Sequence, residues 1–151
     1  MAKRYFEDFA VGDALPLGQR RVTRGEIIAF AAEYDPQPFH LDERAPGPAM
    51  VGGLLASGWH VCALFMNMLC DGFLLDSASM GSPGIETLKW QRPVRPGDTL
   101  SAISLVIDVR ASKRRPEMGI VRFRHEVKNQ AGEVVMWMEN PIMFARREAA
   151  T

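Results

Sequence analysis

The sequence lacks the features by which composition alone would assign a partner. Its 18 Lys and Arg residues are balanced by 18 Asp and Glu residues, so no net charge draws the chain to nucleic acid or to an anionic membrane. Its most apolar run, residues 61–66, is far shorter than the roughly 20 residues that a membrane-spanning helix needs. The composition therefore predicts neither a nucleic-acid-binding protein nor a membrane protein.

Cysteine and histidine are also scarce, with two and three residues respectively. Cys62 and Cys70 fall in one predicted helix, about 12 Å apart at roughly 1.5 Å of rise per residue, which is too far for a disulfide. The start of the chain, "MAKRYFEDF", has no apolar segment typical of a secretion signal. We expect a reduced, cytoplasmic protein. With no paired-cysteine motif, we predict no metal and no cofactor.

What is present fits one globular domain over residues 1–151. The sequence is 47% hydrophobic and 24% charged, which is ordinary for a folded domain of this length. Thr23 and Glu26 form a capping box that predicts a helix ending near Tyr34, before Pro36. A second helix is predicted over residues 57–71, with Ser57 as its N-cap. Because its apolar residues cover nearly the whole circumference, we expect it to be buried on most sides.

The rest of the chain predicts strands. A short strand near residues 19–22 follows an irregular lead-in, and four segments follow the second helix, at residues 85–94, 99–110, 120–128 and 133–145. Alternation places Ile103, Leu105 and Ile107 on the apolar face of the second of these segments, and Pro141 predicts a bulge or an unpaired side in the last. Short loops favour antiparallel pairing. The predicted fold is α+β, with a curved antiparallel sheet around a central helix.

One short turn carries candidate chemistry, "YDPQPFHLD". Pro36 and Pro38 stiffen the segment between Asp35 and His40, which is the rigidity that an acid–base pair requires. Asp35 also lies at the C-terminal end of a helix dipole, so we expect its pKa to be raised. The alternative is that Asp35 only ends the helix and that His40 is a structural histidine.

The surrounding residues resemble the MaoC-like dehydratases, the family that includes (R)-specific enoyl-CoA hydratases. The resemblance rests on "AFAAEYDPQPFHLDERAP" followed by "GGLLASGWH", and on the flanking "YFEDFAVGD" and "QRPVRPGDTL". It implies a hot-dog fold, an acyl-CoA thioester as substrate, and a homodimer or an assembly of dimers. It also implies that Asp35 and His40 hold a water and add it across the double bond of an enoyl thioester.

The resemblance gives roles to three further residues. Gly58 matches the family glycine whose backbone amide stabilises the thioester oxygen, although close packing of the helix would also require glycine. Gln37 stands where the family motif has asparagine, and its extra methylene is expected to alter the hydrogen bonds of the turn. Ser57 stands where many hydratases have histidine. It is predicted to be either an N-cap or a donor near the thioester.

Other polar residues have ordinary interpretations. His60 and His125 are predicted to be core or interface histidines. The basic segment 112–117 and the pair Arg146 and Arg147 are either solvated charges or contacts for the phosphates of coenzyme A. Four apolar side chains of the second helix are either core or the lining of an acyl pocket: Leu64, Phe65, Met66 and Met68.

We therefore predict an enoyl-CoA hydratase, or 3-hydroxyacyl-thioester dehydratase, that acts through Asp35 and His40. Two alternatives keep the same fold. A thioesterase would use the carboxylate and water to release free coenzyme A, and a non-catalytic subunit would bind acyl thioesters without turning them over. Loss of the enoyl absorbance without release of thiol distinguishes the hydratase from both.

Overall fold

The computed structural model describes residues 3–47 and 52–147. Two α-helices pack with five strands that form a single antiparallel sheet. The helices are α1 (Arg24–Tyr34) and α2 (Gly58–Gly72). The strands are β1 (Ala14–Arg21), β2 (Thr87–Trp90), β3 (Thr99–Ala111), β4 (Met118–Lys128) and β5 (Val134–Ala145). The α+β architecture predicted from the sequence is confirmed.

Both helices begin at the predicted caps. The Thr23 hydroxyl accepts a hydrogen bond from the amide of Glu26 at 3.2 Å, and the Ser57 hydroxyl accepts one from the amide of Trp59 at 3.3 Å. Each cap satisfies a backbone donor that has no partner inside the helix. Helix α1 ends at Tyr34, as the following Asp-Pro step requires.

The strand order across the sheet is β1-β3-β4-β5-β2. Strands β3, β4 and β5 follow one another in sequence and pair as neighbours, whereas β1 and β2 are added at the two ends. The core lies between one face of this sheet and α2, and its largest buried side chains include Phe123, Phe144 and Leu100. Burial of such side chains, at about 2 kcal/mol each, is the main force that holds α2 on the sheet.

The inward face of β3 is the opposite of the predicted one. Leu100, Ala102, Ser104 and Val106 are buried, whereas the residues between them are only partly covered. Periodicity fixed the alternation but assigned the wrong face, because apolar side chains lie on both faces of this strand. In this inward position the Ser104 hydroxyl lies 2.8 Å from Nδ1 of the buried His125. In β4 the predicted face, which includes Phe123 and His125, is confirmed.

The ends of the sheet differ most from the prediction. Strand β1 starts at Ala14 rather than near residue 19, because a register shift between Pro16 and Gln19 lets it continue through Gly18 at φ +82°. Strand β2 covers only Thr87–Trp90 of the predicted 85–94. Pro141 causes no bulge. On one side Pro141 pairs with Arg122 of β4. On its other side β2 does not reach it, because β2 pairs with residues 136–139 of β5.

Helix α2 is not buried on all sides in this chain. Trp59 is 63% exposed and Met66 is 44% exposed, which leaves one apolar face of the helix open. Part of the predicted loop before α2, residues 48–51, lies outside the described residues. Neither helix within residues 3–47 and 52–147 is long and apolar enough to cross a membrane.

Candidate active site

The predicted turn brings Asp35 and His40 into contact. Asp35 is the residue after α1 and has left helical geometry, at φ −150° and ψ 71°. Pro38–His40 then form a single 3₁₀ turn, which directs the imidazole back towards the carboxylate. His40 Nε2 lies 3.2 Å from Asp35 Oδ2. The two side chains are 6% and 17% exposed, so they form a largely desolvated pair.

A backbone carbonyl fixes the tautomer of His40. Its Nδ1 lies 2.7 Å from the carbonyl oxygen of Leu55, which can only accept, so Nδ1 carries a hydrogen. Nε2 is therefore the position that gains or loses a proton, and it faces Asp35. Between them, Nε2 and the carboxylate can hold one exchangeable proton.

Asp35 is held by donors from both sides. The Ser57 hydroxyl donates to Oδ2 at 2.7 Å, and the Gln37 side-chain amide donates to Oδ1 at 2.7 Å. Burial alone would raise the pKa of the Asp35 carboxyl, but the hydrogen bonds from Ser57 and Gln37 and the charge of His40 outweigh burial, and the pKa lies below its ordinary value. The prediction of a raised pKa is therefore wrong, because the two donors and the charge of His40 lower the pKa by more than burial raises it.

Ser57 and Gln37 thus have specific places in the structure. Ser57 is fully buried, and its hydroxyl caps α2 while donating to Asp35, so it joins the helix start to the carboxylate. The side chain of Gln37 reaches Asp35, and the backbone amide of Gln37 also donates to the Asp35 carbonyl at 2.8 Å.

Gly58 lies at the first position of α2, beside the pair. Within the described residues its amide donates to no protein acceptor, as expected for the first turn of a helix. A Cβ at this position would come within 2.5 Å of the Trp90 ring. The Trp90 indole also donates to the Gly58 carbonyl at 3.1 Å. Close packing therefore requires glycine here, and the amide remains available to a ligand.

These groups line an open cleft of about 470 Å³. Asp35, His40 and Gly58 lie on one side, and Trp59 and Trp90 form an aromatic edge with ring centroids 5.4 Å apart. Most of the remaining lining is apolar, including Leu55, Val61 and Val94. An apolar cleft with a few convergent polar groups is typical of a small-molecule site.

The other two histidines lie outside the cleft and are buried, as predicted. His60 stacks on Phe30 at 4.8 Å and lies 3.9 Å from a carboxylate oxygen of Glu26. Burial lowers its pKa despite Glu26. His125 is 1% exposed, and burial lowers its pKa to about 4.

The remaining candidates divide between the surface and the interior. Arg146 and Arg147 pair with Glu7 and Asp8, and residues 112–117 connect β3 to β4 as a loop. On α2, Leu64, Phe65 and Met68 belong to the core, and Phe65 and Met66 line a second cavity. In the described part of the chain, no three His, Cys, Asp or Glu side chains are grouped to hold a metal ion.

Sequence reasoning missed three contributors to the site. The Leu55 carbonyl carries no sequence signal, because any residue has one. Trp90 and Trp59 do carry a signal, since large aromatic side chains at the end of an edge strand and at the start of a helix often line a binding surface.

The family model of the MaoC like domain matches residues 10–129. The chain belongs to this family. A MaoC-like dehydratase from Rhodospirillum rubrum has 42% sequence identity and a TM-score of 0.88, over 96% of this chain and 99% of that one. A mesaconyl-CoA hydratase from Cereibacter sphaeroides is 30% identical over 99% of this chain. The chain spans 43% of that relative.

Two further solved structures resemble this chain. An (R)-hydratase of A. caviae involved in PHA biosynthesis has 25% identity and a TM-score of 0.70, over 90% of this chain and 97% of that one. A Mycobacterium tuberculosis protein described as a double hotdog fold has a TM-score of 0.77 at 16% identity, over 99% of this chain and 46% of that one. The hot-dog fold predicted from the sequence is confirmed.

Proposed function

We propose that this MaoC-like protein catalyses the reversible hydration of a trans-2-enoyl-CoA thioester. The observation that carries the proposal is the Asp35–His40 pair, with 3.2 Å between Oδ2 and Nε2, in the same cleft as the first amides of α2. The similarity to a mesaconyl-CoA hydratase and to an (R)-hydratase supports the same chemistry.

The proposed reaction uses the single proton that the pair can hold. A water in the cleft, held by both Asp35 and His40, gives one proton to the pair as its oxygen bonds to the β-carbon of the enoyl group. The electrons of the double bond move towards the thioester, and the α-carbon then receives a proton from the pair. One water is added in total, and the pair returns to its starting state. Dehydration is the reverse.

The start of α2 supplies the stabilisation that this reaction needs. The thioester oxygen gains negative charge as the β-carbon is attacked, and the Gly58 amide at the positive end of the helix is a donor placed in advance. Ser57 would act by holding the Asp35 carboxylate in position, and Gln37 by restraining its second oxygen. In this proposal both residues position the acid–base pair.

The test follows the absorbance of crotonyl-CoA at its enoyl-thioester band, beside a thiol-release assay on the same sample. We expect the absorbance to fall without free thiol. Asp35→Asn should reduce the rate about 10² to 10⁴-fold. Glu33→Gln makes the same chemical change at an exposed position of α1 and serves as the matched control. Release of thiol would instead indicate a thioesterase, and an unchanged rate in Asp35→Asn would contradict the assigned pair.

The predicted homodimer and cytoplasmic location belong to this proposal. Among the described strands, β2 has a neighbour on one side only, and Trp90 on this strand and Ile85 just before it are 46% and 53% exposed. An edge strand with exposed apolar side chains is suited to pairing with a second copy. Sedimentation of the purified chain as a monomer at micromolar concentration would contradict the dimer.

A further inference from the structure

A second cavity, here called the inner cavity, lies between α2 and β5. Its volume is about 380 Å³, and Phe65, Leu69, Met138 and Ile142 supply much of its apolar lining. It is as large as many ligand sites. Its polar lining comes mainly from three side chains that belong to one hydrogen-bonded array.

The array runs across the interior from β3 to the loop before β2. Ser104 Oγ lies 2.8 Å from His125 Nδ1, and His125 Nε2 lies 2.9 Å from Asn140 Oδ1. The Asn140 amide donates to the Ser82 hydroxyl at 3.2 Å, and that hydroxyl donates to the Gly84 carbonyl at 2.9 Å. Of these residues, Ser82, His125 and Asn140 line the inner cavity.

The direction of every hydrogen bond in the array follows from its last acceptor. Ser82 uses its hydrogen on the Gly84 carbonyl, so its oxygen accepts from the Asn140 nitrogen and the Asn140 oxygen faces His125. His125 Nε2 must then carry a hydrogen, and Nδ1 accepts from Ser104. Within the part of the chain that the structure describes, each of these hydrogens has an acceptor except the second one on the Asn140 nitrogen. The array therefore offers a ligand one donor.

The inner cavity also lacks a charged group. No Asp, Glu, Lys or Arg is among its described lining residues. Burial holds the pKa of His125 at about 4, so the imidazole is neutral near pH 7. A carboxylate placed in this cavity would lose its hydration without gaining a cation, whereas an uncharged oxygen could accept from Asn140.

The cavity lies about one helical turn from the cleft. Val61 lines the cleft and Phe65 lines the inner cavity, a separation of about 6 Å along the axis of α2. On the same stretch of α2, the Cys62 sulfur lies 3.6 Å from the Met136 sulfur. The long, unbranched side chain of Met136 can move aside for a ligand more easily than a branched one.

We propose that the inner cavity binds the distal part of an uncharged acyl group that carries one hydrogen-bond acceptor, which pairs with the Asn140 amide. This inference rests on the proposed function, because the acyl group is the expected ligand only if the chain acts on acyl thioesters. The mesaconyl-CoA hydratase relative is named for a dicarboxylic acyl group. We do not expect the inner cavity to select an acyl group of that class.

The test uses two small probes that differ chiefly in charge, hexanamide and hexanoate. Titration of the full chain at pH 7 should show hexanamide binding at least about tenfold more tightly than hexanoate. The side-chain amide signals of Asn140 in a ¹⁵N NMR spectrum should move with hexanamide. Equal affinity for the two probes, or binding that leaves the Asn140 signals unmoved, would overturn the proposal.

A matched pair of variants locates the binding. Met66 lines the inner cavity and is 44% exposed, so Met66→Trp should narrow its mouth with little effect on folding. Val11 is 62% exposed and lines neither the cleft nor the inner cavity, and Val11→Trp is the control. Met66→Trp should weaken hexanamide binding at least about fivefold, and Val11→Trp should not. Equal binding in both would overturn the assignment.

Because the probes are not thioesters, their binding to the inner cavity can be measured independently of the proposed hydratase activity. Hydration of crotonyl-CoA by a protein that does not bind hexanamide would overturn the inference and leave the function standing. Binding of hexanamide by a protein that hydrates no enoyl thioester would overturn the link to the acyl group. Competition between hexanamide and an enoyl-CoA, seen as a raised KM, would support both.

Discussion

Two histidines of this chain are almost equally hidden from solvent but have different partners. His40 is 4% exposed and His125 is 1% exposed, and each has hydrogen-bonding partners at both ring nitrogens. His40 lies between a backbone carbonyl and the carboxylate of Asp35. His125 lies between a hydroxyl and an amide, both uncharged.

The comparison shows that, between two buried histidines, the hydrogen-bonding partner decides what each can do. A carboxylate 3.2 Å from Nε2 gives His40 a place to exchange a proton. Burial lowers the pKa of His125 to about 4, and its uncharged partners do not offset this, so the imidazole stays neutral near pH 7. One histidine suits acid–base chemistry, and the other orders a buried array.

The largest expected effect comes from removing the exchangeable proton. His40→Gln keeps a donor towards Leu55 but cannot act as a base, so the hydration rate should fall about 10² to 10⁴-fold. The rate of crotonyl-CoA hydration measures this change, and circular dichroism checks that the variant is folded. A folded His40→Gln protein with the wild-type rate would show that His40, like His125, has only a structural role.

The second prediction concerns the acid sensitivity that His125 confers. Its pKa in the folded state is about 4, below the 6.5 of an unfolded histidine. Below pH 6.5 the unfolded chain therefore binds the proton more readily, and stability falls as the pH falls towards 4. The loss should reach about 3 kcal/mol.

The measurement is urea unfolding of wild type and His125→Gln between pH 7 and 4. Glutamine does not titrate, so the variant should lose less stability over this range. Because His60 also has a lowered pKa, both proteins keep some acid sensitivity, and only the difference in slope belongs to His125. Parallel slopes would contradict the prediction.

A smaller effect is expected from the donor that joins α2 to the carboxylate. Ser57→Ala removes the 2.7 Å hydrogen bond to Asp35, which helps to keep the pKa of that carboxyl low. The acid limb of the kcat/KM profile should move to higher pH by about 1 unit or less. The pH profile separates this from a purely structural role, since loss of the N-cap alone would lower stability without moving the limb.

The smallest effect should come from Gln37. Gln37→Ala removes the donor to Asp35 Oδ1, and the acid limb should move in the same direction as in Ser57→Ala but by less. Gln37 is exposed, so water can replace the lost hydrogen bond. A larger shift than in Ser57→Ala would reverse the assigned order of the two donors.

The sequence predicts the parts of this molecule that depend on neighbouring residues. Thr23 and Glu26 locate the start of α1, and the Asp-Pro step locates its end within one residue. The two prolines between Asp35 and His40 identify a rigid turn, and the structure closes that turn so that the two side chains meet. Each of these outcomes is decided by contacts a few residues apart.

What the sequence does not reveal depends on distant residues. The pKa of Asp35 is lowered partly by Ser57, 22 residues away, so its direction could not be read from the turn. Ser104 faces inward, where its partner is His125, 21 residues away. The bulge in β1 likewise exists only as a register against β3. Tertiary pairing determines all three.

The contact between Gly58 and Trp90 has a consequence for how assembly would govern activity. Trp90 is the last residue of the edge strand β2, and its ring fills the space where a side chain on residue 58 would lie, while its nitrogen binds the carbonyl of that residue. Anything that shifts this strand must also shift the start of α2. In the proposed dimer, dilution that frees the edge of β2 would loosen the Gly58 amide that we propose as the donor to the thioester oxygen. We therefore expect the specific activity of the proposed enzyme to fall on dilution.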